Sequence, residues 1–177
     1  MKHLTKYNHY FMFESFDFPK TLKGLLKVAP KELVNITMGL QKVPQNLKWH
    51  PEGNTLKHVI LVFRRALSEH PGNLDIAMAA FFHDLGKLHT LSYHPKTGQP
   101  TAHGHEKKSA ELVKKHRDWI KEIGANPTNV YYIVRNHMKM KPSTWDNMRD
   151  KKKDKLKAYK SFGDLEKFSK IDRGGVY

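Results

Sequence analysis

The sequence predicts an all-α protein, a compact bundle of helices. In the segment 55–70, the apolar residues Leu56, Val59, Phe63 and Leu67 recur at the three- and four-residue intervals of one helix face. No run alternates polar and apolar residues in the way a half-buried strand does. At 177 residues the chain is long enough for one domain with a sizeable core and too short for two ordinary ones.

Each predicted helix is bounded by residues that favour helix starts or stops. Asn54 or Thr55 can cap the helix 55–70. Gly86 is a plausible stop for the helix 74–87, and Gly124 closes the amphipathic helix 105–124. Pro127 suits a first helical turn. The segments predicted to be helical are 31–43, 55–70, 74–87, 105–124, 127–138 and 162–175.

Two loops and one charged stretch lie between these segments. Residues 43–54 and 89–104 are predicted loops, and 149–160 is dense in lysine. We expect residues 1–47 to form an aromatic and helical extension that packs on a core domain of residues 48–177.

The composition limits the kinds of partner and of metal ligand that the chain can have. The chain has 32 basic and 17 acidic residues, a net charge of +15, which favours polyanionic partners such as nucleotides or nucleic acid. It has no cysteine, so any metal ion must be bound by His, Asp or Glu. No apolar run approaches the ~20 residues of a membrane span, and the N-terminus has no apolar core of the signal-peptide type. We therefore expect a soluble, cytoplasmic protein without a membrane partner.

Histidines and aspartates stand at helix ends or on apolar helix faces in several separate elements. Imidazole and carboxylate groups are ligands for divalent cations, and a helical bundle builds metal sites from side chains that project into its core. A carboxylate can also bridge two ions, which together can clamp a phosphoryl group. The residues in such positions are His58, His83, Asp84, His103, His105, His137 and Asp172.

Three phrases, HPEGNTLKH (50–58), FFHDLGK (81–87) and GHEKKSAEL (104–112), occur in this order, and SKIDRGG (169–175) follows near the end. Together they resemble the HD-domain superfamily of metal-dependent phosphohydrolases, and their wording is similar to the HD domains of bacterial tRNA nucleotidyltransferases. The resemblance implies a compact HD-domain helical bundle that covers roughly residues 48–175. It does not extend to the polymerase half of those enzymes, so nucleotide addition is not expected.

The resemblance also implies roles for individual residues. It implies metal ligands at His58, His83, Asp84 and Asp172, and the order of the further histidines His105 and His137 is similar to that of members with two metals. The expected cofactor is therefore one or two divalent ions of Mn, Fe, Zn, Co, Ni or Mg.

Further roles are assigned to residues beside these ligands. Asp84 is expected to be the central catalytic ligand, with His105 and Glu106 as candidates for general acid or base. Lys87 either contacts a substrate phosphate or satisfies helix-end carbonyls. The candidates for binding substrate phosphate are Arg135, Lys139, Lys141 and Arg173.

The function expected from these features is metal-dependent phosphohydrolysis of a (deoxy)nucleotide, at a phosphomonoester or phosphoanhydride. One alternative substrate is a 2′,3′-cyclic nucleotide or RNA end. A second alternative is a basic nucleic-acid-binding module in which the HD site is structural, and a third is a di-iron oxygenase on the same scaffold. The motifs similar to those of tRNA nucleotidyltransferases argue against the oxygenase.

Overall fold

The computed structural model describes residues 18–48 and 50–173. Most aromatic residues of the predicted N-terminal extension lie before residue 18 and therefore outside the described residues. The described chain is mostly helical, which confirms the predicted fold class. The helices are α1 Leu22–Val28, α2 Lys31–Gly39, α3 Thr55–Glu69, α4 Leu74–Phe82, α5 Lys87–Thr90, α6 His105–Lys115, α7 Arg117–Glu122, α8 Pro127–Asn136, α9 Pro142–Asp146, α10 Asp150–Lys157 and α11 Phe162–Arg173.

Asparagine side chains cap three of the helices that carry the core. The side-chain oxygen of Asn54 accepts from the Lys57 amide at 3.0 Å, and Asn73 caps α4 in the same way. Asn126 caps α8, where Pro127 occupies the first turn. Each cap satisfies an amide that has no partner within its own helix.

Helix α4 lies at the centre of the bundle. Every residue from Ile76 to Phe82 is buried, and α3, α6, α8 and α11 pack around it. A helix that is apolar on all sides must be enclosed by other elements. The end of α4 therefore projects its next residues, His83 and Asp84, into the middle of the protein.

The elements before residue 47 share this core. Leu25 of α1, Leu33 of α2 and Leu40 of the 3-10 helix Leu40–Lys42 are completely buried, and the Trp119 indole donates to the Val28 carbonyl at 3.0 Å. The division of the chain at residue 47 stays a prediction.

Gly86 is not the helix stop that the sequence predicted. Helix α4 ends at Phe82, and Gly86 has a φ of −63°, outside the left-handed region of a glycine stop. A Cβ atom at this position would collide with the carbonyl oxygen of His105 and lie 2.8 Å from the amide nitrogen of Ser109. Gly86 is therefore required because α6 approaches the backbone closely, and its amide donates to the Ser109 hydroxyl at 2.9 Å.

Two further differences involve short elements. The predicted helix 105–124 divides at His116, whose φ of −104° and ψ of 25° leave the helical region, and the His116 side chain pairs with Glu32 of α2. Residues 89–104 contain two strands, β1 Ser92–Tyr93 and β2 Pro100–Thr101, which pair antiparallel. Strands of two residues are too short to show an alternation of apolar and polar residues in the sequence.

Among the described helices, none is long and apolar enough to cross a bilayer.

Candidate metal centre

All six predicted metal ligands meet at one place inside the bundle. His58 comes from the first turn of α3, His83 and Asp84 from the turn after α4, and the others from the start of α6, the end of α8 and the end of α11. Burial is nearly complete for all but the last of them. The exposed fractions are 2% for His58, 1% for His83, 2% for Asp84, 5% for His105 and 3% for His137, and the Asp172 side chain is 16% exposed.

The first group of ligand atoms surrounds the carboxylates of Asp84 and Asp172. His58 Nε2 lies 3.0 Å from Asp172 Oδ1 and 3.8 Å from Asp84 Oδ2. His83 Nε2 lies 3.3 Å from Asp84 Oδ2 and 3.4 Å from Asp172 Oδ1. Two imidazoles and two carboxylates therefore surround one small volume.

A second group shares Asp84 with the first. His105 Nε2 lies 3.3 Å from Asp84 Oδ1 and 3.2 Å from His137 Nε2. Asp84 thus turns one oxygen toward His58 and His83 and the other toward His105. In each of the two sets, His58–His83–Asp84 and Asp84–His105–His137, one ligand atom per residue lies within 4.8 Å of the others.

Backbone carbonyls determine which nitrogen of three of these histidines faces the cluster. In each case Nδ1 donates to the carbonyl oxygen three residues earlier, at 3.0 Å for His83, 2.7 Å for His105 and 2.7 Å for His137. A neutral imidazole that donates from Nδ1 keeps a lone pair on Nε2. In its neutral form, each of these three imidazoles therefore presents the Nε2 lone pair to the cluster.

This donor set fits a divalent cation. His83 Nε2 is buried and makes no hydrogen bond within the described part of the chain. In the same tautomer, the facing Nε2 atoms of His105 and His137 both present lone pairs, which repel at 3.2 Å unless a positive charge lies between them. Imidazoles and carboxylates with convergent lone pairs could hold one or two metal ions.

The charges in the cluster shift the pKa values in opposite directions on its two sides. Burial lowers the pKa of His83, but the charge of Asp84 and the contact with Asp172 outweigh burial and raise it to about 10. Burial also favours a neutral Asp84, yet the charges of His83 and Lys87 hold its pKa well below the usual range. Burial and the charge of His105 lower the pKa of His137 to about 3. The carboxylate side therefore attracts positive charge, while the His105–His137 side keeps neutral imidazoles.

Lys87 contacts Asp84 directly. Its ammonium lies 2.7 Å from Asp84 Oδ2 and also donates to the side-chain oxygen of Gln45, and the side chain is only 13% exposed. The main contact of the Lys87 ammonium is therefore the central carboxylate of Asp84 and not a helix-end carbonyl.

The remaining predicted residues differ in their position. The guanidinium of Arg135 lies 3.6 Å from Glu106, and Lys139 is half-buried and donates to the side chain of Asn136 at 2.8 Å. Lys141 is exposed at the start of α9, and Arg173 is exposed and donates to the Ser169 carbonyl. Arg135 and Lys139 are thus held in place beside the element that carries His137, whereas Lys141 and Arg173 lie at the surface.

Sequence reasoning missed Glu52 and Gln45, which contact His58 and Lys87 respectively. Glu52 lies inside the phrase HPEGNTLKH, so its proximity to His58 in the sequence was a usable signal. Gln45 is 42 residues from Lys87, and only the folded chain brings the two together.

Comparisons with known proteins agree with this geometry. A "Multifunctional CCA protein" of Shewanella denitrificans is 33% identical over 115 residues, which cover 62% of this chain and 27% of that protein. Another from Herminiimonas arsenicoxydans is 37% identical over 105 residues, covering 52% of this chain and 24% of the relative. An "A-adding tRNA nucleotidyltransferase" of Deinococcus radiodurans is 26% identical over 129 residues, covering 71% and 30%.

The chain therefore spans less than a third of the length of each of these relatives. A model of the HD domain matches residues 55–162, more than half of the chain, and this range contains His58, His83, Asp84, His105 and His137. Asp172 lies beyond the match, and its place in the cluster rests on the geometry. The sequence match and the buried His/Asp cluster lead to one conclusion: the chain belongs to the HD domain family.

Proposed function

We propose that the chain is a metal-dependent phosphohydrolase whose metal is held by His58, His83, Asp84 and Asp172. The observation that carries this proposal is the convergence of the buried Nε2 atoms of His58 and His83 on the carboxylates of Asp84 and Asp172 in the centre of the bundle. A divalent ion bound there supplies acidified water and neutralises charge on phosphoryl oxygens.

The position of Asp84 supports a second ion on the other side. Its Oδ1 atom faces His105, which in turn faces His137, so these three residues form a second possible ligand set. We propose Asp84 as the ligand common to both sets. If a single ion binds, His105 is the candidate base, because burial lowers its pKa and leaves its Nε2 atom able to accept a proton.

In this proposal, the cations near the cluster either hold a metal ligand in position or bind the substrate phosphate. Lys87 holds the Asp84 carboxylate in position and offsets its charge. Arg135, anchored by Glu106, and Lys139 provide positive charge for phosphate beside His137. Burial and the charges of Arg135 and Lys152 lower the pKa of Lys139, which indicates that positive charge is concentrated here. Glu106 is then a residue that positions Arg135, and Lys141 and Arg173 guide anions at the surface.

We propose a nucleotide as substrate, with a (deoxy)nucleotide phosphomonoester or phosphoanhydride first. The net charge of +15 and the cations around the cluster support an anionic substrate. The second candidate is a 2′,3′-cyclic phosphate on a nucleotide or RNA end. Two features favour it: one relative is named a tRNA nucleotidyltransferase, and the exposed lysines of α10 could contact an RNA backbone.

The test is a phosphate-release screen with added Mn²⁺, Co²⁺, Ni²⁺, Zn²⁺ or Mg²⁺ across nucleoside mono-, di- and triphosphates. Cyclic 2′,3′-nucleotides are included and followed by chromatography, because their opening releases no phosphate. The variant Asp84→Ala should lose activity by about 10³-fold or more, because it removes the central ligand. Asp118→Ala is the matched control, because that side chain is 85% exposed on α7. Equal turnover by wild type and Asp84→Ala, or no metal-stimulated turnover of any substrate, would contradict the proposal.

A further inference from the structure

The loop before α3 carries a carboxylate that reaches the back of a cluster histidine. This loop is tied down by its own backbone, because Gln45 donates to the Gly53 carbonyl, Thr55 to the Val43 carbonyl, and Gly53 to the His50 carbonyl, each at 3.0 Å. Gly53 has a φ of +89°, a conformation that suits glycine, and it turns the chain just after Glu52. The position of the Glu52 side chain is therefore determined by the loop.

Glu52 accepts hydrogen bonds from two imidazoles through one oxygen. Its Oε1 atom lies 2.7 Å from His58 Nδ1 and 3.2 Å from His50 Nδ1, and its side chain is 7% exposed. The ring of His50 packs edge-on against that of His58, with centroids 4.6 Å apart. The far side of the His58 ring is therefore enclosed by the Glu52 carboxylate and the His50 ring.

His58 thus differs from the other three cluster histidines. Their Nδ1 atoms donate to neutral backbone carbonyls, whereas His58 donates to a carboxylate. A hydrogen bond to an ionised acceptor is stronger than one to a carbonyl, and it makes the opposite nitrogen more basic.

We infer that Glu52 is a positioning residue for the metal centre. It orients the His58 ring and strengthens His58 Nε2 as a ligand, while His50 donates to the same carboxylate oxygen. The inference rests on the metal site of the proposed function, but it does not depend on which substrate is hydrolysed, or on whether any is.

A competing interpretation is that His50, Glu52 and His58 themselves bind an ion, since their ligand atoms also lie within 4.8 Å of one another. The hydrogen bonds argue against it. Both Nδ1 atoms lie at hydrogen-bond distance from the same Glu52 oxygen, as expected for two N–H donors. His58 would also have to use both ring nitrogens as ligands.

The test is a Co²⁺ titration of the whole chain, read by calorimetry and by the visible absorption of the bound ion. Glu52→Gln keeps the shape and an acceptor for His58 but loses the charge, so we expect Co²⁺ to bind about 10-fold more weakly. Glu52→Ala also loses the acceptor, and we expect about 100-fold weaker binding. The number of bound ions should stay the same, and the absorption of the bound ion should shift. The matched control is Glu111→Gln, whose side chain is 62% exposed.

Three results would overturn the inference. One is a Co²⁺ affinity of both Glu52 variants within about twofold of wild type, with the fold intact by circular dichroism. Another is the loss of one whole ion with the rest bound unchanged, which would make Glu52 a ligand. The third is no Co²⁺ binding by wild type. Failure of the proposed function is distinguishable, because Glu52-sensitive Co²⁺ binding without hydrolysis of any phosphate would leave the inference standing.

Discussion

The buried cluster and the loop 89–104 both contain several histidines, and they use them in opposite ways. His89, His94 and His103 of the loop are exposed, and the ring nitrogen Nδ1 of His94 accepts from the Lys96 amide at 3.3 Å. In the cluster, every histidine donates from Nδ1 to a fixed acceptor and turns Nε2 inward. The number of imidazoles is similar, so the difference lies in the orientation of each ring and in burial beside carboxylates.

The largest difference between the two regions is expected when one imidazole is removed from each of them in separate variants. His83→Ala should lower metal-stimulated hydrolysis by about 10²–10³-fold, because it removes a buried Nε2 that faces both Asp84 and Asp172. His94→Ala should leave activity within about twofold. Turnover of the substrate found in the screen, with far-ultraviolet circular dichroism as a check on folding, measures both. Equal losses in the two variants would remove the distinction between the regions.

Gly86→Ala tests whether the cluster depends on the close packing of α6. The added Cβ would collide with the backbone of His105 and Ser109, so α6 must shift. We expect a loss of about 2–3 kcal/mol in the free energy of unfolding, measured by urea denaturation, together with weaker metal binding. Gly163→Ala is the control, since nothing lies within 4 Å of a Cβ there. An unchanged stability for Gly86→Ala would mean that the helices can separate at little cost.

The pH dependence of metal binding should reveal the protons held by the cluster. Because the pKa of His83 is raised to about 10, its ion pair stabilises the metal-free fold fully below about pH 6.5 and is lost as the pH rises toward 10. A metal ion must displace that proton. Its apparent affinity should therefore rise by up to about tenfold per pH unit for each proton displaced.

Thermal unfolding with and without Co²⁺ between about pH 6.5 and pH 8 measures this effect. The increase in Tm caused by the metal should grow with pH, while the Tm of the metal-free protein declines. An increment that is constant or shrinks with pH would show that His83 does not hold a proton in competition with the metal. The exposed loop histidines, whose replacement by alanine should change neither curve, provide the comparison.

The smallest effect is expected from the surface cations. Lys155 is exposed on α10, and its charge contributes to the lowered pKa of Lys139. Lys155→Glu should raise KM for an anionic substrate about threefold at low salt, with little effect at high salt and none on kcat. Lys23→Glu on α1, also exposed, is the control for net charge. Equal changes in both variants would mean that the total charge matters and not its position near Lys139.

The helical fold and the burial of His83–Asp84 could be predicted from local patterns, whereas the meeting of ligands from distant helices was implied only by the resemblance. The apolar residues 76–82 required an enclosed helix, and the pair His83–Asp84 directly after them had to enter the core. The role of Gly86 could not be predicted in this way, since it depends on how closely a distant helix approaches. Gln45 and the division of α6 from α7 at His116 likewise depend on contacts between remote segments. The functions of the converging residues stay predictions.

The ammonium of Lys87 has a consequence for how an ion reaches the protein's interior. It already neutralises the oxygen of Asp84 that faces His58 and His83, and the Gln45 side chain holds it there. An incoming ion that takes this oxygen must compete with a tethered positive charge, so loading is an exchange of cations and not a simple addition. If the proposed metal ion binds, shortening or neutralising this side chain should therefore change the rate of binding more than the number of ions bound.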